Sequence, residues 1–228
     1  MCYLAGVNKP VSHPVKAHRR MPRIIELTLV SLSALVLALP ILLTGLMIFI
    51  FLGRPVFFRQ PRIGKLKSQF NILKFRTMTN EFGSDGNLLP DELRQTTFTR
   101  FIRRVRLDEL PQILAILKGD MALVGPRPLL PVTIDEFGLL GERRCLVKPG
   151  LTGWSQVSGN VHLSNIEKLK LDLWYVNHRS LFLDVKIIYE TFTVLLFGEK
   201  VNNNRINTAD MWLSEENLGH LIEAKKGL

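Results

Sequence analysis

The feature that most constrains this chain is a stretch of 26 residues without a single charge, from Leu27 to Leu52. A straight α-helix of that length measures about 39 Å, whereas the hydrocarbon core of a bilayer is about 30 Å thick. The apolar core of a secretory signal has only about 7–15 residues. The stretch is therefore too long for a signal and predicts a membrane helix, and a tilted span is the simplest interpretation of its length.

Pro40 lies in the middle of this apolar stretch. A proline removes the hydrogen bond to the carbonyl of Val36 and disfavours helical geometry at Leu39, so we expect a break at Leu39 and Pro40. The halves on either side are roughly 20 Å and 18 Å long as helices, and neither crosses a bilayer alone. Together they allow a re-entrant path, although prolines also kink ordinary spanning helices.

Basic residues flank the apolar stretch on both sides. They are Lys9, Lys16, Arg19, Arg20 and Arg23 before it, and Arg54, Arg59, Arg62, Lys65 and Lys67 after it. Positive residues mark the cytoplasmic side of a membrane segment, and a spanning helix usually shows them mainly at one end. We therefore predict a monotopic membrane protein in which residues 21–53 form a re-entrant helix with both ends in the cytoplasm. A true span is the alternative.

The composition of the whole chain excludes several classes of protein. Hydrophobic residues make up 46% of the 228 residues, which excludes a disordered chain, and two cysteines exclude a disulfide scaffold. Lys and Arg number 30 against 20 Asp and Glu, a net charge of +10, which also suits a basic module that binds nucleic acid or anionic lipid. Aromatic residues are only 8% of the chain and are not interleaved with basic ones, so we expect no nucleic-acid partner.

The remaining sequence predicts a mainly helical α+β protein with amphipathic helices along the membrane. Short apolar patches between Gly53 and Thr79 favour a small β-hairpin. The apolar segment 181–197 is typical of a core helix or of one lying in the membrane interface. Further helices are predicted over 91–104, after Pro111, after the capping pair Ser164 and Glu167, and from Ser214 to about Lys225.

This pattern divides the chain into four parts. They are a basic tail (1–20), the re-entrant helix (21–53), a domain on the cytoplasmic face (54–198) and a C-terminal extension with a short helix (199–228).

Two adjacent carboxylates, Asp108 and Glu109, stand just before Pro111, which favours the first turn of a helix. Free N–H groups and the helix dipole stabilise carboxylates at such a position, so helix capping is the structural interpretation. The basic run Arg100–Arg106 precedes them and forms either a solvated or headgroup-facing surface or an anion site. An anion site needs a catalytic neighbour, which the carboxylate pair provides.

Arg127 lies between Pro126 and Pro128. The two prolines stiffen the backbone and so fix the direction of the side chain. A guanidinium held in this way suits recognition of phosphate or carboxylate, and a plain surface turn is the alternative. The glycine-dense loop 148–160 lacks the spacing of a Rossmann turn or a P-loop, so it predicts no nucleotide motif.

The chain resembles the bacterial monotopic phosphoglycosyl transferases, which transfer a sugar phosphate to a polyprenyl phosphate. The resemblance extends from about Met21 to Phe197. After the proline-interrupted apolar stretch it rests on six ordered motifs: FRQPRIG, LKFRTM, LDELPQ, LKGDM, VGPRPLL and KPGLTGWSQVSG. Each motif alone is weakly specific, whereas their common order is specific.

The resemblance implies that Asp108 attacks the β-phosphate of a nucleoside diphosphate sugar, usually a UDP-sugar, so that UMP leaves and a phosphosugar stays on the enzyme. A polyprenyl (undecaprenyl) phosphate then takes the phosphosugar, as the first membrane step of glycoconjugate assembly. Glu109 is the implied partner carboxylate, which helps with proton handling and orientation. Mg²⁺ is the implied cofactor, with Asp108 as its protein ligand. The implied location is the cytoplasmic face of the bacterial inner membrane, in contact with lipid, and an oligomer stays possible.

Cationic residues at motif positions are the phosphate-binding groups that the resemblance implies. They are Arg103, Arg127, Lys74, Arg76 and Lys148. Leu39, Asn160 and Lys148 depart from the family pattern, since some members have serine at the first position and many have arginine at the other two. Because Arg and Lys are not interchangeable at bidentate sites, the sugar or nucleotide contacts near Asn160 and Lys148 are expected to differ.

Overall fold

The computed structural model describes residues 21–216 and residue 218, so the predicted basic tail (1–20) lies outside the described residues. The described helices are α1 (Arg23–Leu52), α2 (Thr97–Arg104), α3 (Ile113–Lys118), α4 (Pro131–Phe137), α5 (Leu139–Arg144), α6 (Trp154–Val157), α7 (Asn165–His178), α8 (Leu181–Phe197) and α9 (Asn203–Glu215). The strands are β1 (Phe57–Ile63), β2 (Gln69–Phe75), β3 (Ala122–Val124) and β4 (Gly150–Thr152), and 3₁₀ turns occupy Lys65–Lys67, Leu107–Gln112 and Asn160–His162. The prediction of a mainly helical α+β protein is confirmed.

Two small sheets accompany the helices. β1 and β2 form the predicted antiparallel hairpin, in a register that places Phe57 opposite Phe75. β3 and β4 pair in parallel, with Ala122 opposite Gly150. The sequence did not indicate this second pair, because strands of three residues are too short to show an alternating pattern. The pair joins the segment before Arg127 to the glycine-dense loop.

α1 is one helix of 30 residues that continues through Leu39 and Pro40. The expected break at these residues does not interrupt the helix, and the re-entrant path stays a prediction. Leu37 packs against the buried cluster around Ile116, and Ile41 packs against the cluster around Ile102. Because the domain holds α1 on both sides of Pro40, the helix tolerates the hydrogen bond that proline removes.

One face of α1 contacts the rest of the protein along the whole helix. Its buried or packed residues recur every three or four positions: Glu26, Val30, Ala34, Leu37, Ile41, Thr44, Ile48 and Leu52. The other face is apolar and exposed: Leu32, Leu35, Val36, Leu39, Leu42, Leu43, Leu46 and Ile50. By length and composition α1 is able to cross a membrane, and only 11% of its most apolar window is buried.

Polar contacts fasten both ends of α1 to the domain. Near its start, the carboxylate of Glu26 accepts a hydrogen bond of 2.7 Å from the backbone N–H of Leu123. At its end, the guanidinium of Arg76 donates to the carbonyls of Leu52 and Gly53. These carbonyls belong to the helix terminus, which has no partners for them within the helix. Both termini of α1 are therefore tied to one and the same domain.

α8 has two apolar sides with different surroundings. Leu183 and Ile187 are buried in the cluster that contains Trp154 and Tyr175. The exposed residues on the other side are Phe182, Val185, Tyr189, Phe192 and Leu196. The segment is thus a core helix on one side, and its exposed side is the kind of surface that marks a membrane or partner contact.

The start of α2 differs from the sequence prediction. The helix begins at Thr97 instead of Asp91, because Thr96 and Thr99 form a capping box. The preceding residues fold into turns. The apolar positions that suggested an earlier start therefore belong to two separate local structures.

The predicted C-terminal helix also differs. α9 spans Asn203–Glu215, so Ser214 lies in its last turn and does not start a helix; the remainder of that prediction falls on residues outside the described part of the chain. Ile206, Ala209 and Leu213 of α9 are buried in the clusters that α7 helps to form. This part of the predicted extension is therefore built into the core of the domain.

Candidate active site

The 3₁₀ turn Leu107–Gln112 carries the carboxylate pair between α2 and α3. Arg106 precedes the turn with φ 57° and ψ 24°, a left-handed conformation that is uncommon in residues other than glycine. Leu107 packs against the cluster that contains Phe75 of β2, and Pro111 is buried. The turn therefore rests on the hairpin and on α1, while Asp108 and Glu109 line a cleft.

Glu109 is fixed by two cations. Its Oε1 atom accepts hydrogen bonds from Lys74 Nζ at 2.7 Å and from the Arg127 guanidinium at 2.5 Å. Arg106 lies 3.9 Å from its other oxygen. Burial raises the pKa of Glu109, but the charges and hydrogen bonds of Arg127 and Lys74 outweigh it and lower that pKa to about 2. Glu109 is therefore an ionised carboxylate of fixed orientation.

Asp108 is in the opposite electrostatic situation. Burial, followed by the neighbouring charge of Glu109, raises the pKa of Asp108 to about 6, against the opposing charges of Lys74 and Arg103. It forms no ion pair with the residues that the structure describes. Two adjacent carboxyl groups with pKa values pushed apart are typical of catalytic sites. Asp108 is ionised above a pH of about 6 and is available to an electrophile or a cation.

The carboxylates line a cleft of about 690 Å³. Its basic lining residues are Lys74, Arg100, Arg103, Arg104, Arg106 and Arg127, and its acidic ones are Asp108, Glu109 and Glu199. Three of the five predicted phosphate-binding residues (Lys74, Arg103 and Arg127) are thus brought together. A cleft with this excess of cations suits a ligand with several phosphate charges.

A buried ion pair between Arg144 and Asp172 holds the backbone of Arg127. Arg144 donates to the backbone carbonyl of Arg127 and, through Nε, to Asp172 at 2.8 Å. Asp172 also accepts a hydrogen bond of 2.7 Å from the Ser155 hydroxyl. The side chains of Arg144 and Asp172 are each only 3% exposed. The direction of Arg127 is therefore set by this network as well as by its two flanking prolines.

Close backbone packing explains two glycines of the site motifs. A Cβ atom on Gly125 would lie 2.5 Å from the carbonyl oxygen of Lys148, and one on Gly150 would lie 2.1 Å from the backbone nitrogen of Gly125. Gly150 donates to the carbonyl of Pro126 at 2.9 Å. The glycine-dense loop therefore serves as a backbone support for the segment that carries Arg127.

Two predicted phosphate-binding residues are placed elsewhere. Arg76 binds the carbonyls at the end of α1, and it does not line the cleft. The ammonium of Lys148 lies 3.5 Å from the position that a Cβ would take on Gly119, at the C-terminus of α3. A cation is favourable there because of the helix dipole. The structure gives both residues a position at a helix terminus.

Glu199 lines the cleft but was not predicted as a site residue, and Arg106 was predicted only as a member of the basic run. Glu199 accepts hydrogen bonds of 2.5 Å from Arg106 and 2.7 Å from Asn160 Nδ2. Arg106 and Glu199 are 93 positions apart, and Asn160, like Arg106, has a positive φ, of 42°. The basic run was visible in the sequence, but neither the long-range pairing nor the backbone conformation leaves a local signal.

The residues of the cleft fit a magnesium ion held jointly with substrate. Within residues 21–216 and 218 no group of three or more His, Cys, Asp or Glu side chains is arranged as a complete metal site. Glu109 is already engaged by Lys74 and Arg127. Glu199 is engaged by Arg106 and Asn160, which leaves the carboxylate of Asp108. Mg²⁺ is commonly bound by one or two carboxylates together with substrate phosphates and water, so the single available carboxylate matches this mode.

Comparison with known proteins agrees with the motifs. A family model described as bacterial sugar transferase matches residues 17–198. The chain is 43% identical over 190 residues to an uncharacterized sugar transferase, EpsL, of Bacillus subtilis, covering 83% of this chain and 94% of that protein.

Two longer relatives have names that state a reaction. The chain is 36% identical over 183 residues to the UDP-N-acetylgalactosamine-undecaprenyl-phosphate N-acetylgalactosaminephosphotransferase of Aeromonas hydrophila, covering 72% of this chain and 42% of that protein. It is 38% identical over 195 residues to the undecaprenyl-phosphate glucose phosphotransferase of Komagataeibacter xylinus, covering 77% of this chain and 36% of that protein. The chain thus belongs to the bacterial sugar transferase family, and the resemblance of its motifs to the enzymes that transfer sugar phosphates to polyprenyl phosphate is confirmed.

Proposed function

We propose that this protein transfers a sugar 1-phosphate from a UDP-sugar to a polyprenyl phosphate, through a phosphosugar covalently bound to Asp108. The carboxylate turn carries the proposal, because it holds a fixed anion and a less strongly stabilised carboxylate side by side in a basic cleft. The two longer relatives act on undecaprenyl phosphate by their names, which supports the same acceptor class here.

In the first half-reaction an oxygen of the Asp108 carboxylate attacks the β-phosphorus of the UDP-sugar. The phosphorus–oxygen bond to the α-phosphate breaks, UMP leaves with the bridging oxygen, and a mixed anhydride of aspartate and sugar phosphate remains. Covalent storage divides one difficult displacement into two easier ones. It also means that two anionic substrates never need to occupy the cleft together.

In the second half-reaction a phosphate oxygen of the polyprenyl phosphate attacks the same phosphorus, and the Asp108 carboxylate leaves. The cations of the cleft, Arg103 and Arg127 among them, stabilise the charge on the phosphate oxygens during both displacements. Glu109 holds Lys74 and Arg127 in place. With a pKa of about 2 it stays ionised, so we assign it an orienting role instead of a proton transfer.

Mg²⁺ is the proposed cofactor, with Asp108 and the substrate phosphates as its ligands. When bound, it neutralises phosphate charge without any transfer of protons. Removal of divalent cations with EDTA is therefore expected to abolish turnover, and added Mg²⁺ is expected to restore it. Full activity in the presence of EDTA would contradict this part of the proposal.

For the membrane we propose a re-entrant α1, with the domain on the cytoplasmic face of the inner membrane. Both ends of α1 are tied to one domain through Glu26 and Arg76, and its packed face continues along the whole helix. A helix that crosses the bilayer would carry one of these ends, with its share of the domain, to the opposite side. A cysteine introduced at Ser12 is expected to resist periplasmic maleimide labelling in intact cells, and efficient labelling would establish a span.

An assay of UMP release tests the reaction. Purified protein, Mg²⁺ and undecaprenyl phosphate are mixed with UDP-N-acetylgalactosamine or UDP-glucose, the sugars in the names of the two longer relatives. UDP-galactose is tested beside them. Release with at least one sugar, lost in Asp108→Asn, is the expected result. Release by the folded variant at the wild-type rate would overturn the assignment of the nucleophile.

A further inference from the structure

A second cavity lies beside the basic cleft and has a different character. It has a volume of about 220 Å³ and is lined by α6, α8, β3, β4 and residues in and just before the carboxylate turn. Its apolar lining includes Leu123, Leu151, Val157, Ile188, Phe192 and Leu195. We call it the apolar cavity.

The apolar cavity and the basic cleft share a wall. Arg106, Glu109, Val194 and Leu195 line both of them. A ligand with a charged head and an apolar tail would therefore find its two environments next to each other. The two sides of the wall differ in charge, because five further basic residues line only the cleft: Lys74, Arg100, Arg103, Arg104 and Arg127.

Two hydroxyl groups in the apolar cavity are bonded to the protein itself. The Thr191 hydroxyl donates to the carbonyl of Ile187 at 2.7 Å. Thr152 and Thr191 are joined by a hydrogen bond of 2.6 Å between their hydroxyls; since the Thr191 proton is already used, Thr152 is the donor. Neither proton is left for a ligand, so this part of the wall is effectively apolar.

The apolar cavity opens toward the exposed side of α8. Phe192 and Leu195 line it, yet their side chains are 62% and 47% exposed. On the same side lie Tyr189 and Leu196, which are also exposed. A hydrocarbon chain is therefore able to leave the cavity along a surface that is itself apolar.

We propose that the apolar cavity binds the isoprene units next to the phosphate of the polyprenyl acceptor. The proposal rests on the proposed function and adds to it the place of the acceptor's tail. An apolar cavity of about 150 Å³ accommodates a benzene ring, so 220 Å³ has room for roughly one or two five-carbon units. The phosphate would lie across the shared wall in the cleft, and the rest of the chain would follow α8 into the lipid.

Thr191→Phe is the test variant, because the larger side chain fills the apolar cavity. Thr193→Phe is the matched control: it makes the same replacement two residues away on α8, at an exposed position that does not line the cavity. For Thr191→Phe we expect an increase of at least about tenfold in the KM for undecaprenyl phosphate. We expect UMP release from the UDP-sugar without acceptor to stay within about twofold of wild type. Thr193→Phe should change neither quantity.

An unchanged acceptor KM in Thr191→Phe, with the first half-reaction intact, would overturn the proposal. Inactivity of the wild-type protein in the first half-reaction would instead count against the proposed function. Cross-linking decides the question even if Thr191→Phe fails to fold. A prenyl phosphate with a diazirine on its first isoprene unit should label Val157, Ile188 or Leu195 in the wild-type protein. Labelling confined to other segments, or labelling of these residues equally by a phospholipid probe, would contradict the assignment.

Discussion

The carboxylate turn Leu107–Gln112 and the ion pair behind Arg127 both bring acidic and basic side chains together, but their charges are balanced differently. Behind Arg127, Arg144 and Asp172 are buried to the same degree, and Asp172 receives an additional hydrogen bond from Ser155. In the turn, Glu109 forms ion pairs with Lys74 and Arg127. Burial and the charge of Glu109 raise the pKa of its neighbour Asp108 to about 6.

This difference separates structural charges from reactive ones. A buried charge with a complete set of partners holds elements together, and removing one partner leaves the other unpaired at a high energetic cost. Burial and a neighbouring like charge destabilise an ionised carboxylate. Such a carboxylate is stabilised when it binds a cation or forms a bond to phosphorus. The two regions therefore predict opposite consequences for the same kind of substitution.

Asp108→Asn is expected to have the largest effect on activity and to leave the fold intact. Turnover should fall by at least about a thousandfold, because the nucleophile is lost. The folded-state pKa of Asp108 lies above the usual value of 3.8, so its ionisation destabilises the fold as pH rises from about 4 to 6. The variant should therefore gain about 1–3 kcal/mol in free energy of unfolding at pH 7.5. Thermal unfolding beside the UMP assay checks this, and a clear loss of stability would contradict it.

Asp172→Asn should show the reverse pattern. Arg144 would be left buried without its countercharge, which should lower the free energy of unfolding by about 3–5 kcal/mol. Asp210→Asn is the matched control: Asp210 forms an ion pair of 2.6 Å with Lys170, but its side chain is 47% exposed, so a loss of less than about 1 kcal/mol is expected. Equal losses in the two variants, measured by denaturant unfolding, would refute the distinction.

Glu109→Gln should shift the pH dependence. The wild-type first half-reaction should require ionised Asp108. At UDP-sugar and Mg²⁺ concentrations far below saturation, where the rate reports the pKa of the free enzyme, it should rise with pH through an inflection near 6. The variant removes the like charge and frees Lys74 and Arg127, so the pKa of Asp108 should fall and the inflection should move about one unit lower. UMP release measured from pH 4.5 to 8.5 checks the shift, and an inflection that moves upward would contradict it. A lower rate at every pH is also expected, because the two cations lose their common acceptor.

The filling of the apolar cavity by Thr191→Phe is the smallest of these effects. It should change one kinetic constant, the acceptor KM. Because the buried Thr152 hydroxyl loses its acceptor, the free energy of unfolding should fall by about 1–3 kcal/mol relative to Thr193→Phe. A loss of stability much larger than this would mean that Thr191 belongs to the packed core rather than to a cavity wall.

The parts of the site that the sequence predicted are those that neighbouring residues define. Asp108 and Glu109 stand before Pro111, and Arg127 stands between two prolines, so local backbone rules drew attention to them. Those rules alone also allowed helix capping and a plain turn, and the family resemblance supplied the site roles. Lys74 and Arg103 followed from their positions in motifs, and the cleft contains both.

Long-range packing decided the rest. Arg106 meets Glu199 across 93 positions, and no local pattern indicates such a pair. Arg76 has the same charge as Arg127, but the hairpin places it against the end of α1. The sequence predicted the last helix to begin at Ser214, too late in the chain, because the first turn of α9 is polar. The three buried apolar residues of α9 pack against other helices, and the local sequence does not indicate those contacts. Tertiary contacts override such local signals.

The central claim is that Asp108 stores the sugar phosphate, and the most direct test is the intact mass of the protein after reaction with UDP-sugar in the absence of acceptor. Wild type should gain the mass of one sugar phosphate, on the peptide that contains Asp108, and lose it upon addition of undecaprenyl phosphate or hydroxylamine. Asp108→Asn should gain nothing. Product formation with both substrates but no adduct in wild type, or an adduct that persists in Asp108→Asn, would contradict the account.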